Sequence, residues 1–210
     1  MLIAKEGFSY IAVAGSLFLL VFFLPKWFFI VLFFSLTVLF LIFFRDPERD
    51  IPIENGIAVS GADGKVVEIS EEELDGEIFL KISIFMNVFN VHVNRVPVDG
   101  EVISVVHKPG KFLAADRKES SFVNEQNVIT INSKYGKVIV KQVAGFIARR
   151  TVSYVNAGDK VRLGDRLGII KFSSRVDHYF PLSAKVNVSI DDVVVAGESI
   201  LVRFPVEEEF

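Results

Sequence analysis

Cysteine is absent from the 210 residues, which excludes disulfides, thiolate metal sites and a cysteine nucleophile. Histidine is scarce: His92, His107 and His178 stand far apart with no Glu at ligand spacing, so no metal site is expected. Lys and Arg total 23 against 26 Asp and Glu, a net charge of −3, and the cationic excess that nucleic-acid binding uses is missing. Missing too are a GxxxxGK[ST] phosphate loop, a GxGxxG turn after a strand and a GxSxG nucleophile elbow. Charge itself is missing from one long stretch, where Lys26 is the single charged side chain between Phe8 and Phe44.

What fills that stretch is apolar, and about half of the 21 Phe residues crowd into it. Residues 8–24 and 27–44 form two runs split by Pro25 and Lys26. Each has about the 17 to 20 residues that a helix needs to cross a hydrocarbon core of about 30 Å. A cleaved signal peptide fits poorly, because a second apolar run follows at once. Residues 1–50 therefore read as a transmembrane hairpin ending in the juxtamembrane linker "RDPERDIP". Lys5, Arg45 and Arg49 lie on the side shared by the N-terminus and the downstream domain, against Lys26 on the other, which places that side in the cytoplasm of a cell-membrane protein.

Residues 51–210 change pattern. Short Val- and Ile-rich runs of period two, such as "GKVVEIS", "EIFLKISIFM" and "NVITINS", alternate with the turn dipeptides of "ENG", "ADG", "PG" and "YG". The expected fold is mainly β, a compact sandwich or barrel-type catalytic domain behind the helical hairpin. The rhythm of "AGDKVRLGDRLGII" is also that of lipoyl-type barrels, although no modifiable lysine at a hairpin tip accompanies it.

Three residue types suited to hydroxyl activation are present. In "NVFNVHVNRVPVDG" the alternation puts His92 and Asn94 on one face, a polar pair within a core-forming segment. Asp63 sits in the tight turn of "SGADGKV", and "FSSRVD" offers Ser173 and Ser174. A carboxylate can orient an imidazole that acts as base toward a hydroxyl, but spacing does not show that these groups meet.

Taken in order, "FFRDPERDIP", "SGADGKV", "FMNVFNVHVNRVPVDGEV", "HKPGKFLAADRKESSFVNEQN" and "VAGFIARRTVSYVNAGDKVRLGDRLGIIKFSSRVDHYFP" resemble the short, membrane-anchored phosphatidylserine decarboxylases. The similar archaetidylserine decarboxylases, a non-catalytic lipoyl-like module and an inactive relative are the alternatives. The resemblance implies a pyruvoyl enzyme that builds its own prosthetic group. A serine hydroxyl attacks the preceding carbonyl to give an ester, β-elimination splits the chain, and the residue left behind hydrolyses to a pyruvoyl group and ammonia. Alignment on Phe172 and "RVD" makes Ser174 that serine, with cleavage between Ser173 and Ser174 into a β chain ending at residue 173 and an α chain of residues 174–210. The two chains would stay together as a heterodimer or a larger assembly of it.

The resemblance further implies that the carbonyl condenses with the amine of a serine phospholipid and takes up the electrons released with CO2. His92 matches the family's general acid and Asp63 its maturation aspartate. Lys111, Phe112 and Glu125 fall where the family's segment lies near the active site and are candidates for headgroup contact. Two departures stand out. Ser173 replaces the usual Gly, which costs energy only if the bond adopts a backbone conformation reserved for glycine. Arg95 replaces the second histidine of longer members, and its fork of donors suits a carboxylate or phosphate.

Overall fold

The structure, a computed structural model, describes residues 2–22, 27–110, 124–145, 151–171 and 174–205. Its contacts divide the chain into two units, Met1–Glu48 and Arg49–Phe210. The first holds helices α1 (Phe8–Phe22) and α2 (Trp27–Phe43), and a short ladder of strand β1 (Leu2–Ile3) on strand β2 (Arg45–Asp46) joins its two ends. Gly7 lets the helices converge there, since a Cβ on it would come within 2.5 Å of the Phe44 side chain. Tyr10 stacks on Phe44 with ring centroids 5.3 Å apart. The stretch Lys5–Phe22 has the length and hydropathy of a membrane span, and α2 is one residue shorter than that 18-residue stretch. Leu19, Leu20, Trp27 and Phe28 are exposed, an arrangement unsuited to water.

The second unit is built from strands: β3 (Ile57–Val59), β4 (Gly64–Leu74), β5 (Glu77–Met86), β6 (Val93–Arg95) and β7 (Gly100–Lys108). There follow β8 (Gln126–Ser133), β9 (Gly136–Ala144), β10 (Thr151–Ser153), β11 (Lys160–Val161), β12 (Arg166–Ile170) and β13 (Ser174–Pro181). The last are β14 (Lys185–Val186), β15 (Val193–Val194) and β16 (Ile200–Arg203). The mainly β expectation is met. An eight-stranded antiparallel sheet of order β11-β7-β8-β9-β13-β5-β4-β15 curls into a half-barrel, and three-stranded sheets β10-β12-β6 and β14-β16-β3 accompany it. Turn chemistry sets the register of the longest hairpin: Asp75 and Gly76 both take positive φ, 52° and 82°, the conformation of a two-residue turn between β4 and β5.

Alternation along β13 decides what each sheet face carries. Val176 and Phe180 join the main core with Ile84, Ile129, Val140 and Leu201, whereas Tyr179 packs outward with Phe79 and Ile139. All of Ser174–Phe180 is buried, as expected of a strand paired on both sides. His178 belongs to the inward set. Its Nε2 accepts from the Gly61 N–H at 2.9 Å, and Gly61 is required there because a Cβ would lie 2.6 Å from that nitrogen and 2.9 Å from the Arg95 carbonyl oxygen. Burial pushes the His178 imidazole down to about 4, against the opposing pull of the Ile82 carbonyl and of Asp177.

A neutral buried histidine stabilises the fold above its unfolded pKa and loses that contribution as pH falls toward the folded value. The urea midpoint of the full chain in detergent should therefore fall between pH 6.5 and about 4, with a total effect of about 3 kcal/mol. His178→Gln should flatten that part of the profile, and an unchanged pH dependence in this variant would contradict the assignment.

Candidate active site

Register aligns strand ends at one end of the large sheet. Lys108 pairs with Gln126, Gln126 with Val143, and Ala144 and Met86 flank Ser174 on its two sides. The strand ends Met86, Lys108, Gln126, Ala144 and Ser174 consequently lie along one end of the sheet. Ser173, Lys111 and Phe112 lie outside the described residues.

Ser174 opens the central strand. It is fully buried, and its Oγ donates to Met86 Sδ at 3.4 Å. His92 is buried at the same end, because its carbonyl accepts from the Ile170 N–H at 3.3 Å, four residues ahead of Ser174. Its Nδ1 lies 3.0 Å from the Asn90 carbonyl oxygen. Since a carbonyl only accepts, Nδ1 carries the hydrogen and a neutral ring keeps its lone pair on Nε2. The turn before it is tied by its own side chains: Asn90 Oδ1 accepts from the Asn87 N–H and Asn87 Oδ1 from the Phe89 N–H, both at 2.9 Å. That turn leaves Phe89 68% exposed.

Asp63 is held elsewhere. Arg49 Nη2 donates to its two oxygens at 2.8 and 3.0 Å, and the Ala196 N–H donates to Oδ1 at 2.8 Å. Among the described residues Asp63 and Ser174 share no hydrogen-bond partner. Arg49 also approaches Glu198 at 3.6 Å, so the segment read as a simple juxtamembrane linker is anchored at its end by an ion pair. Arg95 is 5% exposed: its N–H donates to the Gly61 carbonyl at 2.9 Å and its Nη1 to the Gly164 carbonyl at 3.2 Å. Glu125 accepts from the Thr151 N–H at 3.2 Å, while Asn124 donates to the Ala144 carbonyl at 2.7 Å, fastening the strand end beside Ser174.

The charged residues after the serine pair point to the opposite face. Arg175 Nε donates to Asp177, and its Nη2 donates to Glu68 at 2.6 Å and Ser83 at 2.7 Å. Lys81 pairs with Glu72 at 2.6 Å alongside. Burial alone would push the Asp177 carboxyl up, but Arg175 and Lys81 outweigh it and hold it below the ordinary carboxylate value. "RVD" is thus a lock between β13, its neighbour β5 and the next strand, β4.

Sequence reasoning missed a row of polar side chains. His107 on β7, Asn127 on β8 and Gln142 on β9 are directly opposite one another across the ladder, on the inward face near Ser174. The signal was present, since Gln142 breaks the apolar inward positions of "KVIVKQVA".

An antiparallel half-barrel with a buried serine opening its central strand, and a buried histidine at the same end, marks a β-fold enzyme domain. A family model described as phosphatidylserine decarboxylase matches residues 36–202. The phosphatidylserine decarboxylase proenzyme of Geotalea uraniireducens is 45% identical over 208 residues, 97% of each chain. Its counterpart in Nitrosomonas europaea is 43% identical over 207 residues, 97% of this chain and 95% of the relative. That of Xanthobacter autotrophicus is 42% identical over 207 residues, 95% and 88% respectively. The chain belongs to the phosphatidylserine decarboxylase family.

The Arg49–Asp63 pair has a direct test. Asp63→Asn and Arg49→Met should each lower stability by about 1–3 kcal/mol, and the double variant should be no worse than the poorer single one. Additive losses in urea unfolding would show that the two groups act independently.

Proposed function

We propose that this protein decarboxylates phosphatidylserine to phosphatidylethanolamine, using a pyruvoyl group formed from Ser174 when the chain cleaves itself between Ser173 and Ser174. The observation that carries the reading is the placement of Ser174: a buried hydroxyl on the first residue of the central strand, paired with Met86 on one side and Ala144 on the other. Family membership supplies the reaction class.

The residues around Ser174 fit a small carbonyl group. Met86 Sδ takes the Ser174 hydroxyl and also lies 3.7 Å from Asn94 Nδ2, while Gln142 and Asn94 are buried beside it. Such a group supplies an electron sink for the bond broken as CO2 leaves. His92 is the residue to move the proton: with the Nδ1 hydrogen fixed on Asn90, Nε2 is the atom that takes up a proton and then delivers it as the acid. Burial at the site keeps water from competing for the same carbon. Asp63 would assist maturation through the turn it fixes with Arg49 and Ala196. Headgroup contacts fall to Arg95, Lys111, Phe112 and Glu125.

A lipid substrate agrees with two features. The α1–α2 hairpin would anchor the protein in the bilayer that holds the substrate, with the catalytic domain on the cytoplasmic side, and exposed Phe89 stands at the site end of the sheet. Cleavage would leave residues 174–210 bound. In these, β13 lies between β9 and β5, β15 pairs with β4, and β16 pairs with β3, so the α and β chains persist as a heterodimer.

The purified 23.5 kDa chain should appear as two fragments, the smaller of about 4 kDa, and should release CO2 from phosphatidylserine vesicles. Ser174→Ala should remain one chain and release none. Continued splitting of Ser174→Ala would move the cleavage site elsewhere, and an uncleaved but active wild type would remove the pyruvoyl group from the mechanism.

A further inference from the structure

The polar row beside Ser174 has a direction. His107 Nδ1 lies 2.8 Å from Asn127 Oδ1, and since an amide oxygen only accepts, the imidazole donates. Asn127 Nδ2 in turn donates to Gln142 Oε1 at 3.4 Å, and Gln142 Nε2 donates to Asn94 Oδ1 at 2.8 Å. Each amide has its oxygen occupied from behind, so each presents its N–H₂ forward. The chain ends at Asn94 Nδ2, whose acceptor is the Met86 sulfur at 3.7 Å, the same sulfur that takes the Ser174 hydroxyl at 3.4 Å.

That last link is weak. Asn94, Gln142, Met86 and Ser174 are fully buried and Asn127 nearly so, and a buried amide donor facing only a thioether forgoes most of the energy of a normal hydrogen bond. A chain of aligned amides polarises its terminal N–H, which makes the mismatch greater. Close packing preserves the alignment: a Cβ on Gly168, the residue paired with Asn94, would lie 2.9 Å from Gln142 Nε2. The arrangement suits an acceptor that exists only while the reaction proceeds.

We infer that Asn94 is the hydrogen-bond donor for the Ser174 oxygen during self-cleavage, and that Gln142, Asn127 and His107 are positioning residues that aim it; this rests on the self-cleavage reading above. In the first step Ser174 Oγ gives its proton to a base and bonds to the carbonyl carbon of residue 173, whose C=O electron pair shifts onto the carbonyl oxygen and returns in the next step. The C–N bond of that peptide then breaks and the nitrogen of residue 174 takes a proton, leaving an ester. As Oγ loses its proton it can no longer donate to Met86, and it gains negative charge that the sulfur cannot stabilise. Asn94 Nδ2, which shares that sulfur, can donate to it.

The test follows self-cleavage of the full chain made by cell-free synthesis into phosphatidylcholine vesicles, which removes any dependence on decarboxylase activity. Asn94→Ala should slow cleavage about a hundredfold, with no hydroxylamine-labile ester accumulating, because the block precedes the ester. His107→Ala alters an exposed residue at the far end of the row and should slow cleavage several-fold. It should leave the melting temperature of uncleaved Ser174→Ala protein unchanged, a result that a merely structural role would not give. In the Asn94→Ala background, His107→Ala should add nothing. Wild-type cleavage by Asn94→Ala, or an equal slowing by His107→Ala in both backgrounds, would overturn the inference. Should Asn94→Ala fail to fold, normal cleavage by both His107→Ala and Asn127→Ala would overturn it equally. If Ser174→Ala still cleaves, the reading of the site fails; if Ser174→Ala is inert while Asn94→Ala is normal, only the relay fails.

Discussion

Backbone pairing of β13 on both sides is the constraint on which the catalytic unit depends. Ser174 is in register with Ala144 on one side and Met86 on the other, so its position is fixed by two ladders. A peptide broken just before it need not release the strand, because a sheet bond is made residue by residue and does not require covalent continuity. On the proposed reading, a cleavage site at the head of a strand paired on both sides reconciles two demands, a chain that breaks and a site that stays ordered.

The two faces of that strand divide the labour. Inward, Ser174 meets the Met86 sulfur, which also faces the last amide of the row, with His178 further along holding the Gly61 turn. Outward, Arg175 and Asp177 form a buried ion pair extended by Glu68, Lys81 and Glu72. Such pairs contribute little net stability compared with apolar packing, but breaking one leaves a buried charge, so they penalise wrong registers strongly. A one-residue slip of β13 would place Arg175 in the inward core and Ser174 outside it. The charges after the serine therefore specify which face the serine takes.

Several of these features were legible in the sequence. Period-two runs and turn dipeptides indicated the β class, and the serine pair stood out once four other segments gave it a context. The polarity of His92 and Asn94 within an apolar strand marked the site end of β6. Other features were not legible, for physical reasons. Arg49 and Asp63 are separated by 14 residues and a change of direction, and a basic residue in a charged juxtamembrane run gives no hint of its partner. Asp63 accordingly suggested a triad, whereas the structure engages it with Arg49 and the Ala196 amide. The burial of Arg95 and the bond from its Nη1 to the Gly164 carbonyl, 69 residues on, were likewise not announced by its place in the motif. The amide row requires cross-strand register, which no single strand encodes.

The central claim is that residue 174 becomes a carbonyl group at the head of a noncovalently held fragment. Mass spectrometry of the small C-terminal fragment, with and without a hydrazide reagent, tests it most directly. The account predicts a fragment beginning at position 174 that lacks a free amine and gains one hydrazone. A fragment with an intact N-terminal serine, unreactive to hydrazide, would contradict it.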